Sequence, residues 1–166
     1  MKGSLVGKGN LLKLFPNFAE DIGGNGIDLR IGKLEAIQKD GIIMGCVDDE
    51  KYAPNYYEIP VRNDSHYRLL PNNFYFATVD REIHIPKGYC QTYLVRSTFA
   101  RCGLQLLSSV GDSDFNGTLK IGLYNASPQP IFVGKNERII QALTWKTDNT
   151  DESYDGSYQN DKFYED

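Results

Sequence analysis

Two groups of polar residues in the stretch Arg96–Asn125 have side chains that could act on a phosphorylated substrate. The first six residues hold two arginines and two hydroxyl residues, namely Arg96, Ser97, Thr98 and Arg101. Further along, the turn sequence Asp112–Gly117 carries two carboxylates. Arginine and hydroxyl donors bind phosphate oxygens, and a carboxylate can accept a proton from an attacking water. The stretch therefore predicts a phosphate site beside a carboxylate that activates water.

The same residue types also have purely structural interpretations. Asp112 could simply form a turn ahead of Asn116 and Gly117, because aspartate is a common turn residue. Phe115 has the character of a core residue. Arg96 could be a structural ion-pair partner for Asp28 at a subunit interface, and Gln141 could be a polar residue at a strand edge. The residue pattern alone leaves each pair of interpretations open.

Length and composition indicate one soluble globular domain. The chain has 166 residues, 40% of them hydrophobic, and a formal net charge of -4, which is enough apolar content for a core. The acidic balance argues against nucleic-acid binding, which favours a basic face. We expect no membrane association, because no apolar run approaches the roughly 20 residues of a membrane-spanning helix. The N-terminus shows no signal-peptide pattern.

Cysteine and histidine are too few and too scattered for a zinc site or a histidine-based triad. The three cysteines, Cys46, Cys90 and Cys102, share no metal-binding spacing, and their odd number suits reduced thiols. Cytoplasmic localisation is therefore expected. His84 lies between two isoleucines that point to the opposite face, so it is expected to face solvent. Any chemistry must rest on carboxylates, arginines and hydroxyl groups.

The elements that must position these residues are predicted to be strands. Alternation places Ile27, Leu29 and Ile31 on one face of a first strand. Further strands are predicted at a spacing of about 8–12 residues, separated by Gly/Pro turns, as in a sandwich or barrel. The later strands cover Lys33–Gln38, Gly41–Cys46, Phe74–Val79, Tyr89–Val95, Thr118–Tyr124, Ile131–Val133 and Arg138–Trp145. A short helical pattern, Leu11–Phe18, precedes them.

The composition changes near residue 147. Residues 1–146 are predicted to form the β domain, whereas residues 147–166 form an acidic tail that contains tyrosines. Such a tail lacks the apolar content of a core element and should be mobile alone.

Four segments, in this order, resemble motifs of the superfamily that joins dUTP diphosphatases with dCTP deaminases. They are Asn25–Gly32, the connecting strands (Leu69–Thr78 with Ile83–Gly88, counted together), Arg96–Leu104, and Gly134–Gln141. The resemblance covers most of the chain and implies a distorted all-β jelly roll. It also implies a homotrimer with active sites at subunit interfaces.

Within this superfamily the chain resembles the diphosphatase branch most closely at its catalytic turn. Deaminases of the superfamily carry a water-activating glutamate at the position where this chain has Gly122, and glycine cannot transfer a proton. Val110–Gly117 is similar to the diphosphatase third motif, although Gly111 replaces a bulky aliphatic residue. The second motif and the tail segment Tyr154–Gln159 resemble the deaminase branch instead.

The resemblance implies hydrolysis of dUTP to dUMP and pyrophosphate with Mg²⁺. Asp112 would be the general base, Asp28 would support the catalytic centre, and Phe115 would lie beneath the deoxyribose. The expected phosphate-binding residues are Arg96, Ser97, Thr98, Arg101 and Gln141. Uracil would be read by the backbone of Gly117, Thr118, Leu119 and Ile121. The tail residues Tyr154, Tyr158 and Gln159 would close over the substrate. Mg²⁺ would be held by phosphates and waters near Asp28 rather than by direct side-chain ligation.

Three other functions stay open at this point. The chain could be a dCTP deaminase, or a bifunctional deaminase and diphosphatase, that uses another carboxylate. It could also be a non-catalytic, nucleotide-binding regulator.

Overall fold

The structure, a computed structural model, describes residues 4–37, 45–47, 50–52, 55–63, 65–147 and 153–164. The thirteen described strands are β1 (Ile27–Ile37), β2 (Gly45–Val47), β3 (Glu50–Tyr52), β4 (Tyr56–Glu58), β5 (His66–Leu69), β6 (Phe74–Val79), β7 (Ile83–His84), β8 (Tyr89–Val95), β9 (Leu104–Leu107), β10 (Asn116–Gly117), β11 (Lys120–Asn125), β12 (Ile131–Gly134) and β13 (Arg138–Lys146). The helical segments are α1 (Lys8–Leu14), α2 (Ser97–Arg101) and two 3-10 segments, Pro16–Asp21 and Gln159–Tyr164. Every helix among these residues is too short to traverse a bilayer.

The main sheet has the strand order β8-β13-β1-β6-β11-β9, with β4 also paired to β1, and all of its pairs are antiparallel. Small two-stranded pairs, β5 with β12 and β7 with β10, lie outside this path. The predicted all-β jelly roll with a short N-terminal helical segment is confirmed.

Strand β1 connects two parts of the sheet. Its first residues pair with β13 and its later residues with β6, and the register shifts between Leu29 and Arg30 and again between Ile31 and Lys33. Two separate strands, Ile27–Ile31 and Lys33–Gln38, were predicted over this part of the chain. In the structure the chain stays extended through Gly32, so the prediction of two strands was wrong.

The core contains the alternating apolar positions of the strands. Leu29, Leu34, Ala77 and Leu123 are fully buried, each on the inward face of its strand. The N-terminal helical segment closes one end of this core with Leu11, Phe15 and Phe18, which are also buried. The predicted helical pattern is therefore present, but it is divided by Pro16 into α1 and a 3-10 helix.

Two further predictions have definite outcomes. His84 is exposed, as expected from its position in β7. The segment after Arg96, where no strand was predicted, forms the short helix α2. Of the predicted strand Gly41–Cys46, residues 41–44 lie outside the described residues.

Candidate active site

The candidate site is a pocket where two neighbouring strands separate. β9 pairs with β11 from Leu104 to Leu107, and then the chain turns away while β11 starts at Lys120. The gap is a pocket of about 540 Å³. It is lined by Phe76, Leu107, Ser108, Ser109, Val110, Gly111, Asp112, Phe115, Thr118, Leu119, Lys120, Gly122, Tyr154 and Tyr158.

One wall of the pocket is a strand edge with backbone hydrogen-bonding groups. The carbonyl of Leu119 accepts a hydrogen bond from the Val79 amide at 3.0 Å, so the backbone groups of Leu119 point towards β6. Backbone groups of successive residues in an antiparallel strand point to opposite edges. The N–H and C=O of Lys120 therefore point to the other edge, into the gap left by β9. This edge offers one donor and one acceptor side by side.

The turn that carries Asp112 is held by hydrogen bonds on two sides. Gly111 and Gln91 of β8 exchange two backbone hydrogen bonds, each of 2.8 Å. The Ile85 amide donates to the Phe115 carbonyl at 2.8 Å, and the Asp114 amide donates to the Ile85 carbonyl at 2.9 Å. The turn between these anchors presents Asp112 to the pocket.

Phe115 is buried, and it also lines the pocket. The two interpretations made from sequence, a core residue and a substrate platform, are therefore compatible in this structure. Its ring is in edge contact with the ring of Tyr154, with 5.8 Å between the centroids.

A second group of the predicted residues lies elsewhere in the chain. Asp28 of β1 faces Gln141 of β13 in the sheet register. The Arg96 Nε atom lies 3.1 Å from Asp28 Oδ2, and Gln141 Nε2 donates to Asp28 Oδ1 at 3.5 Å. The sequence left open a structural ion pair between Arg96 and Asp28 at a subunit interface; in the structure these two residues pair within one chain.

The remaining predicted phosphate ligands are on α2, directly after Arg96. Ser97, Thr98 and Arg101 are all exposed on this helix. Arg96 also donates to the Arg138 carbonyl at 3.1 Å. Arginine, hydroxyl and amide groups therefore form a compact, partly exposed cluster at the end of β8.

The two groups are separated within one chain. Gln91 of β8 contacts the Asp112 turn, whereas Arg96 directly follows the last residue of β8. The two residues are five positions apart, which is roughly 16 Å at about 3.3 Å per residue. The pocket lining contains Asp112, Phe115, Thr118 and Leu119 but none of Asp28, Arg96, Ser97, Thr98, Arg101 or Gln141. One copy of the chain thus presents two half-sites.

The described part of the tail packs against the turn Asp112–Gly117. Tyr154 and Tyr158 line the pocket, and the Tyr154 amide donates to the Ser113 carbonyl at 2.9 Å. The side-chain amide of Gln159 accepts from the Asn116 N–H at 2.8 Å and donates to the Asp114 carbonyl at 2.9 Å. Gln159 therefore binds the protein's own backbone here.

Asp161 and Lys120 take part in the site but were not predicted from sequence. The Asp161 carboxylate accepts from the Thr118 N–H at 2.8 Å and from the Thr118 hydroxyl at 2.7 Å. Asp161 is one of several acids in the tail, so no local signal distinguishes it. Lys120 lines the pocket with its side chain, and the signal available was a charged residue at the start of an otherwise apolar strand.

Two of the residues expected to read uracil through their backbone do not line the pocket. Ile121 is buried, and strand alternation directs its backbone groups, like those of Leu119, towards β6. Gly117 lies beneath Asp161. A Cβ atom added at position 117 would be 3.0 Å from the Asp161 Oδ1 atom. Thr118 and Leu119 do line the pocket.

Burial is the main cause of the pKa shifts of three groups near the pocket, Cys90, Tyr93 and Lys120. Burial, together with the charge of Asp112, raises the pKa of the Cys90 thiol, which disfavours a nucleophilic thiolate. The same two causes raise the pKa of Tyr93. The pKa of Lys120 is lowered by burial, against the opposing effect of the Glu35 charge.

Position 122, where the deaminase glutamate would be, has no room for a side chain. A Cβ atom there would lie 2.6 Å from the Phe74 ring and 3.0 Å from the Leu107 Cβ. The described residues also contain no group of three or more His, Cys, Asp or Glu side chains that could hold a metal ion.

Comparison with known proteins gives consistent matches. A family model described as dCTP deaminase-like matches residues 6–147. The chain is 39% identical over 157 residues to a probable deoxyuridine 5'-triphosphate nucleotidohydrolase of Methanothermobacter thermautotrophicus, covering 93% of this chain and 99% of the relative. It is 28% identical over 149 residues to a dCTP deaminase of Pyrobaculum calidifontis, covering 89% and 82%.

The fold has a similar solved structure. A crystal structure of 2'-deoxycytidine 5'-triphosphate deaminase from Agrobacterium tumefaciens superposes with a TM-score of 0.67 at 12% identity. The superposition covers 88% of this chain and 49% of that chain. This structural match shows that the two proteins share a fold. The family model and the sequence relatives show the family to which the chain belongs. The chain belongs to the dCTP deaminase-like family within the dUTPase/dCTP deaminase superfamily.

Proposed function

We propose that the protein hydrolyses dUTP to dUMP and pyrophosphate. The observation that carries the proposal is the pocket between β9 and β11, which combines Asp112, the ring of Phe115 and the strand edge at Lys120. The archaeal relative named as a probable deoxyuridine triphosphate nucleotidohydrolase supports the same reaction.

Asp112 would act as the general base. In the proposed step Asp112 accepts a proton from water while the water oxygen bonds to the α-phosphorus. The bond from the α-phosphorus to the bridging oxygen breaks, and pyrophosphate leaves. The turn hydrogen-bonded to β7 and β8 suits this role, because a fixed carboxylate can hold a water in line without rearranging.

Phe115 and Lys120 would position the nucleoside. The Phe115 ring offers a flat apolar surface for the deoxyribose, where a 2'-hydroxyl would be crowded. At the Lys120 backbone, the N–H can donate to a uracil oxygen and the C=O can accept from the uracil N3–H. Cytosine has a bare acceptor at N3, so the same carbonyl would oppose it.

The phosphates would be bound by the second half-site of a neighbouring copy. Arg96, Ser97, Thr98, Arg101 and Gln141 supply the donors, and Asp28 orients Arg96 through their ion pair. Because the two half-sites of one chain lie apart, a complete site requires two copies in contact. Contacts of this head-to-tail type form a ring when the rotation between copies closes. Because the resemblance to the superfamily implies three copies, we propose a homotrimer.

The donor set is compatible with Mg²⁺ that arrives with the nucleotide. Mg²⁺ is commonly held by substrate phosphates, waters and one or two carboxylates, and Asp28 is the carboxylate beside the phosphate-binding cluster. When bound, the ion would neutralise charge on the triphosphate.

Deamination of dCTP is the main competing function, since several relatives carry that name. The packing around Gly122 argues against it, because Phe74 and Leu107 occupy the space of a catalytic side chain.

The proposal can be tested by separating the products of dUTP and dCTP incubations with Mg²⁺ by chromatography. We expect dUMP and pyrophosphate from dUTP, and no deoxyuridine nucleotide or ammonia from dCTP. Ammonia release from dCTP would assign the chain to deamination. Binding of dUTP without turnover would instead assign it to the nucleotide-binding regulators.

A further inference from the structure

Lys120 brings a positive charge to the inner end of the pocket. It is the one cationic side chain among the described residues that line this pocket. Strand alternation places Lys120 and Gly122 on the same face of β11, and Phe76 of β6 lies beside Gly122 in the register. Together these three residues form the end of the pocket that lies against the sheet.

A buried carboxylate lies beside the Lys120 ammonium group. Glu35 is buried on β1, with Lys33 Nζ at 2.7 Å from its Oε1 atom and Lys120 Nζ at 3.9 Å from its Oε2 atom. The Lys120 side chain is only 17% exposed. Glu35 itself does not line the pocket, so the group presented to a ligand is the lysine and not the carboxylate.

The proposed orientation of the nucleotide places the base at this end. With the α-phosphorus at Asp112 and the sugar over Phe115, the pyrimidine points towards Phe76, Lys120 and Gly122. Position 4 of a pyrimidine lies across the ring from N1, which bonds the sugar. The exocyclic group at position 4 is therefore the part of the base that reaches furthest towards Lys120.

An ammonium group can distinguish the two pyrimidines at this position. It has three N–H donors and no acceptor, so it can bind Glu35 and a ligand oxygen at once. Uracil presents an acceptor oxygen at position 4, whereas cytosine presents an amino group that donates. A cytosine amino group would place donors against donors in a largely buried site, which is unfavourable.

We propose that Lys120 is a specificity-determining residue that donates a hydrogen bond to the 4-oxygen of uracil and rejects the 4-amino group of cytosine. This inference rests on the proposed function, because it uses the same orientation of the nucleotide. It adds a side-chain contact to the backbone edge, and it assigns a second group, besides the Lys120 carbonyl, that excludes cytosine.

The test compares Lys120→Met with Lys33→Met. Both substitutions remove one lysine from Glu35, but Lys33 does not line the pocket, so it controls for the loss of the ion pair. The measurement is calorimetric binding of α,β-imido-dUTP and α,β-imido-dCTP in the presence of Mg²⁺. These analogues are not hydrolysed, so the result does not depend on turnover.

We expect the unsubstituted protein and Lys33→Met to prefer the dUTP analogue. Lys120→Met should reduce the ratio of the two affinities by roughly tenfold or more, the scale of one hydrogen bond to a charged group. Lys120→Arg should keep the preference, since a guanidinium also only donates. If Lys120→Met does not fold, Lys120→Gln replaces it, because its amide can face either base and the ratio should again fall.

An unchanged affinity ratio in folded Lys120→Met or Lys120→Gln would overturn the inference. So would an unsubstituted protein that prefers the dCTP analogue. A protein that prefers the dUTP analogue through Lys120 but forms no dUMP would contradict only the proposed hydrolysis, so the two failures are distinguishable.

Discussion

Gly111 lies directly against the hydroxyl group of Tyr93. A Cβ atom at position 111 would overlap the Tyr93 Oη atom and would lie 2.7 Å from Ile85 Cδ1. The Tyr93 hydroxyl is itself fixed, because it donates to Gln91 Oε1 at 3.2 Å, and Gln91 Nε2 donates to Thr144 at 3.1 Å. A buried network thus explains why glycine precedes Asp112 in this chain.

Gly111→Ala should therefore destabilise the fold and displace the Asp112 turn. We expect a loss of about 1–3 kcal/mol in the free energy of unfolding, typical of overpacking, and a lower kcat for dUTP. Chemical denaturation and steady-state kinetics measure the two effects. Tyr93→Phe in the same chain removes the obstructing oxygen and should restore part of both. Equal losses in the single and double variants would show that Tyr93 is not the obstacle.

Asp112→Asn should separate binding from chemistry. The amide keeps the size of the carboxylate but cannot accept a proton from water, so kcat should fall by about 100- to 10,000-fold. Affinity for α,β-imido-dUTP should stay within a few fold. Asp114→Asn is the matched control in the same turn, and it should keep most of the activity. Near-normal turnover by Asp112→Asn would exclude it as the base.

Gly122→Glu should not create a deaminase. The new side chain would meet Phe74 and Leu107, so we expect lower thermal stability and no ammonia release from dCTP. Combining Gly122→Glu with Phe74→Ala should recover stability relative to Gly122→Glu alone, because space becomes available. Wild-type stability in the single variant would mean that Phe74 does not occupy this space in solution.

Asp161 and Gln159 should hold the tail over the pocket. Asp161→Ala removes two hydrogen bonds to Thr118, so the Thr118 amide should exchange with solvent faster and the KM for dUTP should rise. Hydrogen exchange followed by NMR and steady-state kinetics test these effects. Asp155→Ala, an exposed acid in the same tail, is the control.

Deleting residues 150–166 should reproduce the kinetic effect without unfolding the β domain. A truncated chain with unchanged kcat and KM would show that the tail has no role over the substrate.

Asp21 should contribute strongly to stability at a distance from the pocket. Its side chain is 1% exposed and lies 2.7 Å from Arg30 Nη2 and 3.4 Å from Arg81 Nη2. Asp21→Ala leaves two partly buried guanidinium groups without this partner, which should cost about 2–4 kcal/mol. Glu20→Ala is the matched control, since Glu20 is 70% exposed and also pairs with Arg81. That change should cost less than about 1 kcal/mol.

Local patterns in the sequence were sufficient to predict the fold class. Period-two alternation identified the inward face of β1, because alternation follows from backbone geometry within one strand. The regular spacing of apolar segments between Gly/Pro turns identified β6, β8 and β13. The motifs, in their order along the chain, were sufficient to identify the superfamily. They also singled out Asp112 and Phe115, both of which line the pocket.

Contacts between distant segments were decided by the tertiary structure alone. Nothing local indicates that β9 leaves β11 at Leu107, that Asp161 reaches Thr118, or that Lys120 lies over a carboxylate on β1. The same holds for the roughly 16 Å between the Asp112 turn and Arg96, a separation set by the length of β8 at about 3.3 Å per residue. The sequence by itself determined which residues could do chemistry, because that depends on side-chain type. Their grouping into two half-sites depends on strand register and pairing, which many distant residues set together.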